Sequence, residues 1–536
     1  MNTLRVPGAR SHEHFSSKQF KLGNKDTQYS CRVTSVALPQ WNSVFSVVKI
    51  YRAANRAKCR PKKQIIDTEE NSLNPRKVLV SPALIGLVIA ALIVLQAPAQ
   101  QAHELSSQSA DPKIQAALKE ISAQQVQSDI EKLVRFKTRS TISAQDAASI
   151  AAGHGVGAAR EWIKSEFERY SRDCGGCLEV KTDSFTQPVS ERVATPTVIT
   201  NVYAVLKGTN PEDAKRIVLV TGHYDSRNSS NENVTDAAPG ANDDGSGTSV
   251  SLECARVLSK LKFPGTIIFL TVAGEEQGLY GSKHFAEYAK SQGWDIEAAL
   301  NNDIVGGDKS EGQNPKVVRV FSESIPDGAT EAQLRMIRAL GGESDSASRE
   351  LARYIVQTAR AYQTEVSPLL EFRRDRFLRG GDHISFNEEG FPAVRFTEYR
   401  ENFTRQHQNV RTENGIEYGD LPKYVDYDYV ANVARVNAAT LAELASAPGA
   451  PQKVRIETKD LVNDSTLVWD APADGRATGY EVLWRATSAP DWEHSQSVGK
   501  ETRVTLPVSK DNVIFAVESI DEAGHKSLPI VPAPER

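Results

Sequence analysis

The chain has 536 residues, 40% of them hydrophobic and 25% charged. These are the proportions of a soluble globular protein with more than one domain, and they exclude a disordered or fibrous chain. The formal net charge of −4, with no sustained basic stripe beyond the N-terminal region, argues against nucleic acid as a partner of the main body.

Residues 1–77 form a basic, irregular N-terminal extension. Residues 78–95 then read VLVSPALIGLVIAALIVL, without a charge, behind Arg76 and Lys77 and ahead of Ala97-Pro98-Ala99. A basic flank, an apolar run and a small-x-small exit predict a secretory signal over 78–102. The run is also nearly long enough to span a bilayer, so a retained signal anchor is the alternative. A signal peptide normally starts a chain. The upstream extension therefore implies either a later start or a cytoplasmic tail ahead of an anchor. Cleavage places the mature start between about residues 100 and 103, exported to the periplasm or the extracellular space, with membrane contact through 78–95 only. In that compartment the pair in Asp173-Cys174-Gly175-Gly176-Cys177 is expected to form a small structural disulfide. Cys254, in a helical stretch, reads as a buried small hydrophobe.

A polar segment follows the exit, and residues 103–445 then read as one domain. Ile114, Leu118, Ile121, Val126, Ile130, Leu133 and Val134 recur near the helical period. A second helix covers 158–170. Strands at 198–206, 216–221, 265–272, 298–305, 316–321 and 393–397 alternate with helices at 247–261, 279–292, 346–362 and 427–445. This alternation predicts an α/β domain: a mainly parallel, mixed sheet flanked by helices on both faces. The texture changes at the Pro/Ala linker 446–452. Short alternating stretches after it predict a small C-terminal all-β sandwich over 453–531, with its own core. Leu467-Val468-Trp469 and Gly479-Tyr480-Glu481-Val482-Leu483-Trp484 make this part similar to a fibronectin type III module.

Acids and histidines gather where the predicted strands end, the usual place for ligands in open α/β sheets. His223 and Asp225 follow the strand Ile217-Val218-Leu219-Val220. An imidazole there could bind a metal, with Asp225 orienting it. Asn242-Asp243-Asp244-Gly245 precedes a helix. An N-capping turn would explain one acid, but not two, and a carboxylate can bridge two cations. Glu275-Glu276 end another strand. The pair could merely favour a helix dipole, or divide into a metal ligand and a proton acceptor. Asp303 ends a further strand, and His383 lies in Gly380-Gly381-Asp382-His383 ahead of the next.

In this order, and over residues 112–445, the series resembles the co-catalytic zinc metallopeptidases typified by bacterial leucyl aminopeptidases and vacuolar aminopeptidase Y. The resemblance implies two zinc ions per chain, held by His223, Asp243, Glu276, Asp303 and His383. It implies Glu275 as general base and Asp225 as the carboxylate behind His223. The substrates would be peptides cleaved at the N-terminal residue. Three alternatives stay open. A carboxypeptidase would need cations for a free carboxylate, and Arg373, Arg374, Arg376 and Arg379 precede His383. A glutaminyl cyclase resembles the same scaffold but uses one zinc. A non-catalytic ectodomain would use the C-terminal module for adhesion.

Overall fold

The computed structural model describes residues 104–106 and 108–535. The N-terminal extension, the apolar run 78–95 and the expected cleavage site lie outside the described residues. Among the described residues no helix is long and apolar enough to cross a membrane.

The larger part is built on an eight-stranded sheet. Its strands are β1 (Leu178–Gln187), β2 (Thr197–Leu206), β3 (Arg216–His223), β4 (Thr266–Val272), β5 (Asp295–Asn302), β6 (Val317–Ser322), β7 (Ser367–Glu371) and β8 (Ala393–Glu398), in the order β1-β2-β4-β3-β5-β8-β6-β7. The four central strands β4, β3, β5 and β8 are parallel, while β1, β2 and the β8–β6 pairing are antiparallel. The mixed, mainly parallel sheet is thus as expected. Successive side chains of a strand point to opposite faces. In β3, Val218 and Val220 enter one core, and Ile217 and Leu219 enter the other. Both faces are therefore covered, which is why these strands read as unbroken apolar runs.

Helices α1 (Pro112–Leu118) and α2 (Ala123–Val134) replace the single helical stretch read from Ile114 onward. Ser122 ends the continuity by capping α2 through the Gln125 amide. After α3 (Gly155–Asp173), Cys174 and Cys177 are disulfide-bonded, and Cys254 is free and buried. Helix α4 (Gly245–Leu258) and the last helix of this part, Tyr427–Ser446, pack in the first core. The second core takes Phe285 and Ala289 from residues Tyr280–Ser291 and Phe386 from residues His383–Glu388. Strands β1 and β7 escaped the sequence reading. Both are edge strands: β1 alternates charge with apolar residues, and β7 is five residues long with Pro368 inside it, so neither gives a strand signal.

Beyond residue 451 two small sheets pack face to face. Strands β9 (Gln452–Glu457), β10 (Ser465–Asp470), β11 (Arg503–Leu506) and β12 (Ala533–Glu535) form one, and Gly479–Ala486, His494–Gly499 and Val513–Ile520 form the other. Leu467, Trp469, Tyr480, Val482 and Phe515 fill the space between them. The Pro/Ala segment is not a free hinge. Arg216 donates to Ala447 O (2.7 Å) and Pro448 O (2.9 Å), and Arg476 donates to Ser446 O (2.6 Å). The sandwich is also docked through buried polar groups: Arg353 donates to Pro490 O (2.8 Å), and His525 Nδ1 lies 2.7 Å from Glu443 Oε2.

Candidate metal centre

The site forms at the carboxyl ends of the parallel strands. His223 is the last residue of β3 and is fully buried. Its backbone is tied to the start of α4, because Asp244 accepts from the His223 amide (3.0 Å) while also capping the helix through the Gly247 amide (2.8 Å). No side chain fits at this junction: a Cβ on Gly222 would meet Gly247 C at 2.3 Å. The adjacent acids therefore divide their work. Asp244 serves the backbone, and Asp243 faces the site.

Two groups of ligating atoms result, and they share Asp243. His223, Asp243 and Asp303 form one group, and Asp243, Glu276 and His407 form the other. His223 Nε2 lies 3.2 Å from Asp243 Oδ1 and 3.8 Å from Asp303 Oδ1. His407 Nε2 lies 2.8 Å from Asp243 Oδ2 and 3.1 Å from Glu276 Oε2. Asp225 stands behind His223, its carboxylate 3.4 Å from Nδ1, and is itself held by the Thr141 hydroxyl (2.6 Å). With Nδ1 protonated toward Asp225, the Nε2 lone pair is free to bind a metal. Glu275, beside Glu276, lines the same cleft of about 380 Å³ together with Asp243, Asp303, Leu378 and His407.

The expected fifth ligand, His383, joins neither group. It starts a short helix, and its ring turns to Arg374 O (2.8 Å) and Asp375 (3.6 Å). Burial pushes its pKa down to about 4, so it stays neutral. Its expected place is taken by His407, in the loop after β8. The cue in the sequence was topological: His407 follows the carboxyl end of an apolar strand, whereas His383 precedes the strand.

Three further residues escaped the sequence reading. The buried Arg395 holds the Asp303 carboxylate at 3.0 Å and the Asp375 carboxylate at 3.2 Å. Asp420 accepts the backbone amides of Asn242 (2.9 Å) and Asp243 (2.7 Å), and so sets the position of the shared carboxylate. Arg139, also buried, binds Tyr224 O, Pro239 O and Gly240 O at 2.6–2.8 Å, joining the loop after β3 to the loop before α4.

The charges call for cations. Burial, and then the neighbouring Asp303, Glu276 and Asp382, hold the Glu275 carboxyl well above its ordinary range. Burial opposes charge on His407, but Glu276 and Asp243 outweigh it and raise its pKa to about 10. Burial likewise works against ionised Asp243, and the two imidazoles outweigh it, keeping that carboxyl well below its ordinary range. Glu276 Oε1 is buried without a hydrogen bond. Unsatisfied buried polar atoms are costly, and imidazole with carboxylate is a donor set suited to zinc. The residues present fit the metal.

A buried imidazole–carboxylate centre at the strand ends of an α/β sheet is the equipment of a metallohydrolase. The sequence profile described as Peptidase family M28 matches residues 201–440. The chain is 45% identical over 429 residues to a "Probable zinc metalloprotease" of Leptosphaeria maculans, covering 79% of this chain and 97% of that protein. It is 43% identical over 442 residues to one of Pyrenophora teres f. teres, covering 82% and 90%. The chain therefore belongs to peptidase family M28 and is a zinc metalloprotease. Among solved structures it is similar to the LapA aminopeptidase of Legionella pneumophila, with 22% identity, TM-score 0.44 and coverage of 66% of this chain and 79% of that one. It is also similar to a glutaminyl cyclase of Porphyromonas gingivalis, with 18% identity, TM-score 0.40 and coverage of 60% and 98%.

Proposed function

We propose that the protein is an aminopeptidase working with two zinc ions. The observation that carries this reading is the sharing of Asp243 between two three-residue groups, one oxygen to each histidine. His223, Asp243 and Asp303 would hold one ion, and Asp243, Glu276 and His407 the other. Zinc, when bound in such a site, acidifies water and polarises the peptide carbonyl. The protein's own residues do the rest. Glu275 accepts the proton of the attacking water on its carboxylate and returns it to the leaving amine. Asp225 keeps His223 in the ligating tautomer. Arg395 and Asp420 hold Asp303 and Asp243 in place.

The ion pairs of the arginine loop support amino- over carboxypeptidase action. Arg374 pairs with Asp327 (2.6 Å), Arg376 with Asp375 (3.0 Å) and Glu401 (2.9 Å), and Arg379 with Glu401 (2.6 Å). These three cations are already engaged, so they are poor receptors for a substrate carboxylate, and the Arg373 guanidinium lies over the Phe377 ring. The test is a comparison of Leu-p-nitroanilide, N-acetylated dipeptides and C-amidated dipeptides. Hydrolysis should need a free amine and tolerate the amide. Cleavage of the acetylated peptide but not of the amidated one would reverse the assignment.

The Cys174–Cys177 disulfide supports export, since such bonds persist in oxidising compartments. Two facing sheets around Trp469 support a fibronectin type III-like reading of residues 453–531.

A further inference from the structure

Arg376, Leu378, Arg379 and Gly380 bring the loop 373–380 to the metal cleft, with Phe377 beside Leu378 on its outer side, and the two parts of the loop are built very differently. Its base is fastened. Arg395 donates to Gly380 O (2.7 Å) and pairs with Asp375 (3.2 Å), so one buried guanidinium grips both sides of the loop. Arg376 adds a second bond to Gly380 O (2.8 Å), and both Arg376 and Arg379 anchor on Glu401. Its tip is bare. Phe377 is 74% exposed and Leu378 is 92% exposed.

Leu378 is disfavoured twice over in the free protein. Its φ is +56°, a left-handed conformation that glycine adopts without steric cost and a branched side chain does not. It also presents an apolar side chain to water with nothing to cover it. Backbone strain at a cleft is a pointer to function when the surrounding structure enforces it, and here five polar contacts at the base enforce it. Leu378 lines the same cleft as Asp243, Glu275, Glu276 and Asp303.

We propose that Phe377 and Leu378 are a preformed apolar ledge that reads the substrate residue just beyond the scissile bond, so that peptides with a large apolar second residue are the preferred class. This rests on the aminopeptidase reading. In that reading the N-terminal residue lies inward beside the ligating groups, and the chain after the scissile bond leaves through the open mouth. A side chain as exposed as Leu378 belongs to the mouth, not to an enclosed pocket for the first residue. Because the base is anchored, little conformational freedom is lost on contact.

The experiment uses the full zinc-loaded chain and two C-amidated tripeptides, Leu-Phe-Ala-amide and Leu-Gly-Ala-amide. The ratio of their kcat/KM values is compared between wild type and Phe377→Ser/Leu378→Ser. The ratio should fall about tenfold, mainly through KM, in line with what one apolar contact discriminates. Leu378→Gly, which removes the side chain and suits the backbone, should lower the ratio while keeping or raising Tm. An unchanged ratio in both variants overturns the ledge and leaves the aminopeptidase reading standing. Wild type that cleaves neither peptide overturns the aminopeptidase reading itself.

Discussion

Asp243 turns one carboxylate oxygen to His223, at 3.2 Å, and the other to His407, at 2.8 Å. The two imidazoles come from distant parts of the chain and meet only across this carboxylate. Asp420 fixes the geometry by accepting the Asn242 and Asp243 amides. The arrangement separates a ligand from a near neighbour of the same type, and that separation can be measured.

His407→Ala should reduce bound zinc from two ions to about one per chain, with kcat/KM falling by about a hundredfold or more, at least the loss seen when metal-site supports are removed. His383→Ala should keep two ions and instead lower unfolding stability by roughly 2–4 kcal/mol, as truncation of a buried ring does. Metal analysis and urea unfolding separate the two. Loss of an ion in the His383 variant with none lost in the His407 variant would restore the original assignment of the fifth ligand.

Adjacent glutamates should behave differently. Glu275→Gln should retain both ions and lose a factor of about 10²–10⁴ in kcat, the range for removal of a general base. Glu276→Gln should weaken binding of one ion, because its Oε2 faces His407 at 3.1 Å. Zinc titration by calorimetry alongside kcat gives both answers. Equal weakening of zinc binding by the two substitutions would contradict the division of roles.

Arg395→Met leaves the buried Asp303 carboxylate without its guanidinium and Asp375 with Arg376 alone. Removing one partner of a buried ion pair costs about 3–5 kcal/mol, and urea unfolding of the metal-free variant should show a loss of that size. Saturating zinc should recover part of it, since a dication at Asp303 replaces one of the two lost contacts. The same deficit with and without zinc would mean that Arg395 acts on the fold alone.

A chain ending at Ser446 should not behave as an intact peptidase domain. Truncation uncovers Arg353, Asp213 and Glu443, all fully buried, and strips them of Pro490 O, Arg476 and His525. We expect aggregation or a Tm lowered by 10 °C or more, about what a loss of several kcal/mol does to a large domain. A soluble truncation with wild-type Tm and turnover would show that the sandwich is separable.

Local pattern determined a large share of this. The parallel strands could be read because burial on both faces leaves uninterrupted apolar runs such as Ile217-Val218-Leu219-Val220. His223, Asp243, Glu276 and Asp303 stood out as candidates because each sits at or just after the end of an element whose boundary the sequence marks, and the fold brings them together. Edge strand β1 could not be read, since its outer face is wet and charged. His383 and His407 flank the same strand, and only their order around it separates them in the sequence; nothing local gives their distances to Asp243. That choice depends on where the helix starting at His383 aims its ring and how far the loop after β8 folds back. Arg395 and Asp420 were beyond reach for the same reason, because an ion pair or an amide bond across the fold leaves no period or spacing in the chain. The strand ends say where the chemistry is. Only the packing of loops over them decides which side chains arrive there.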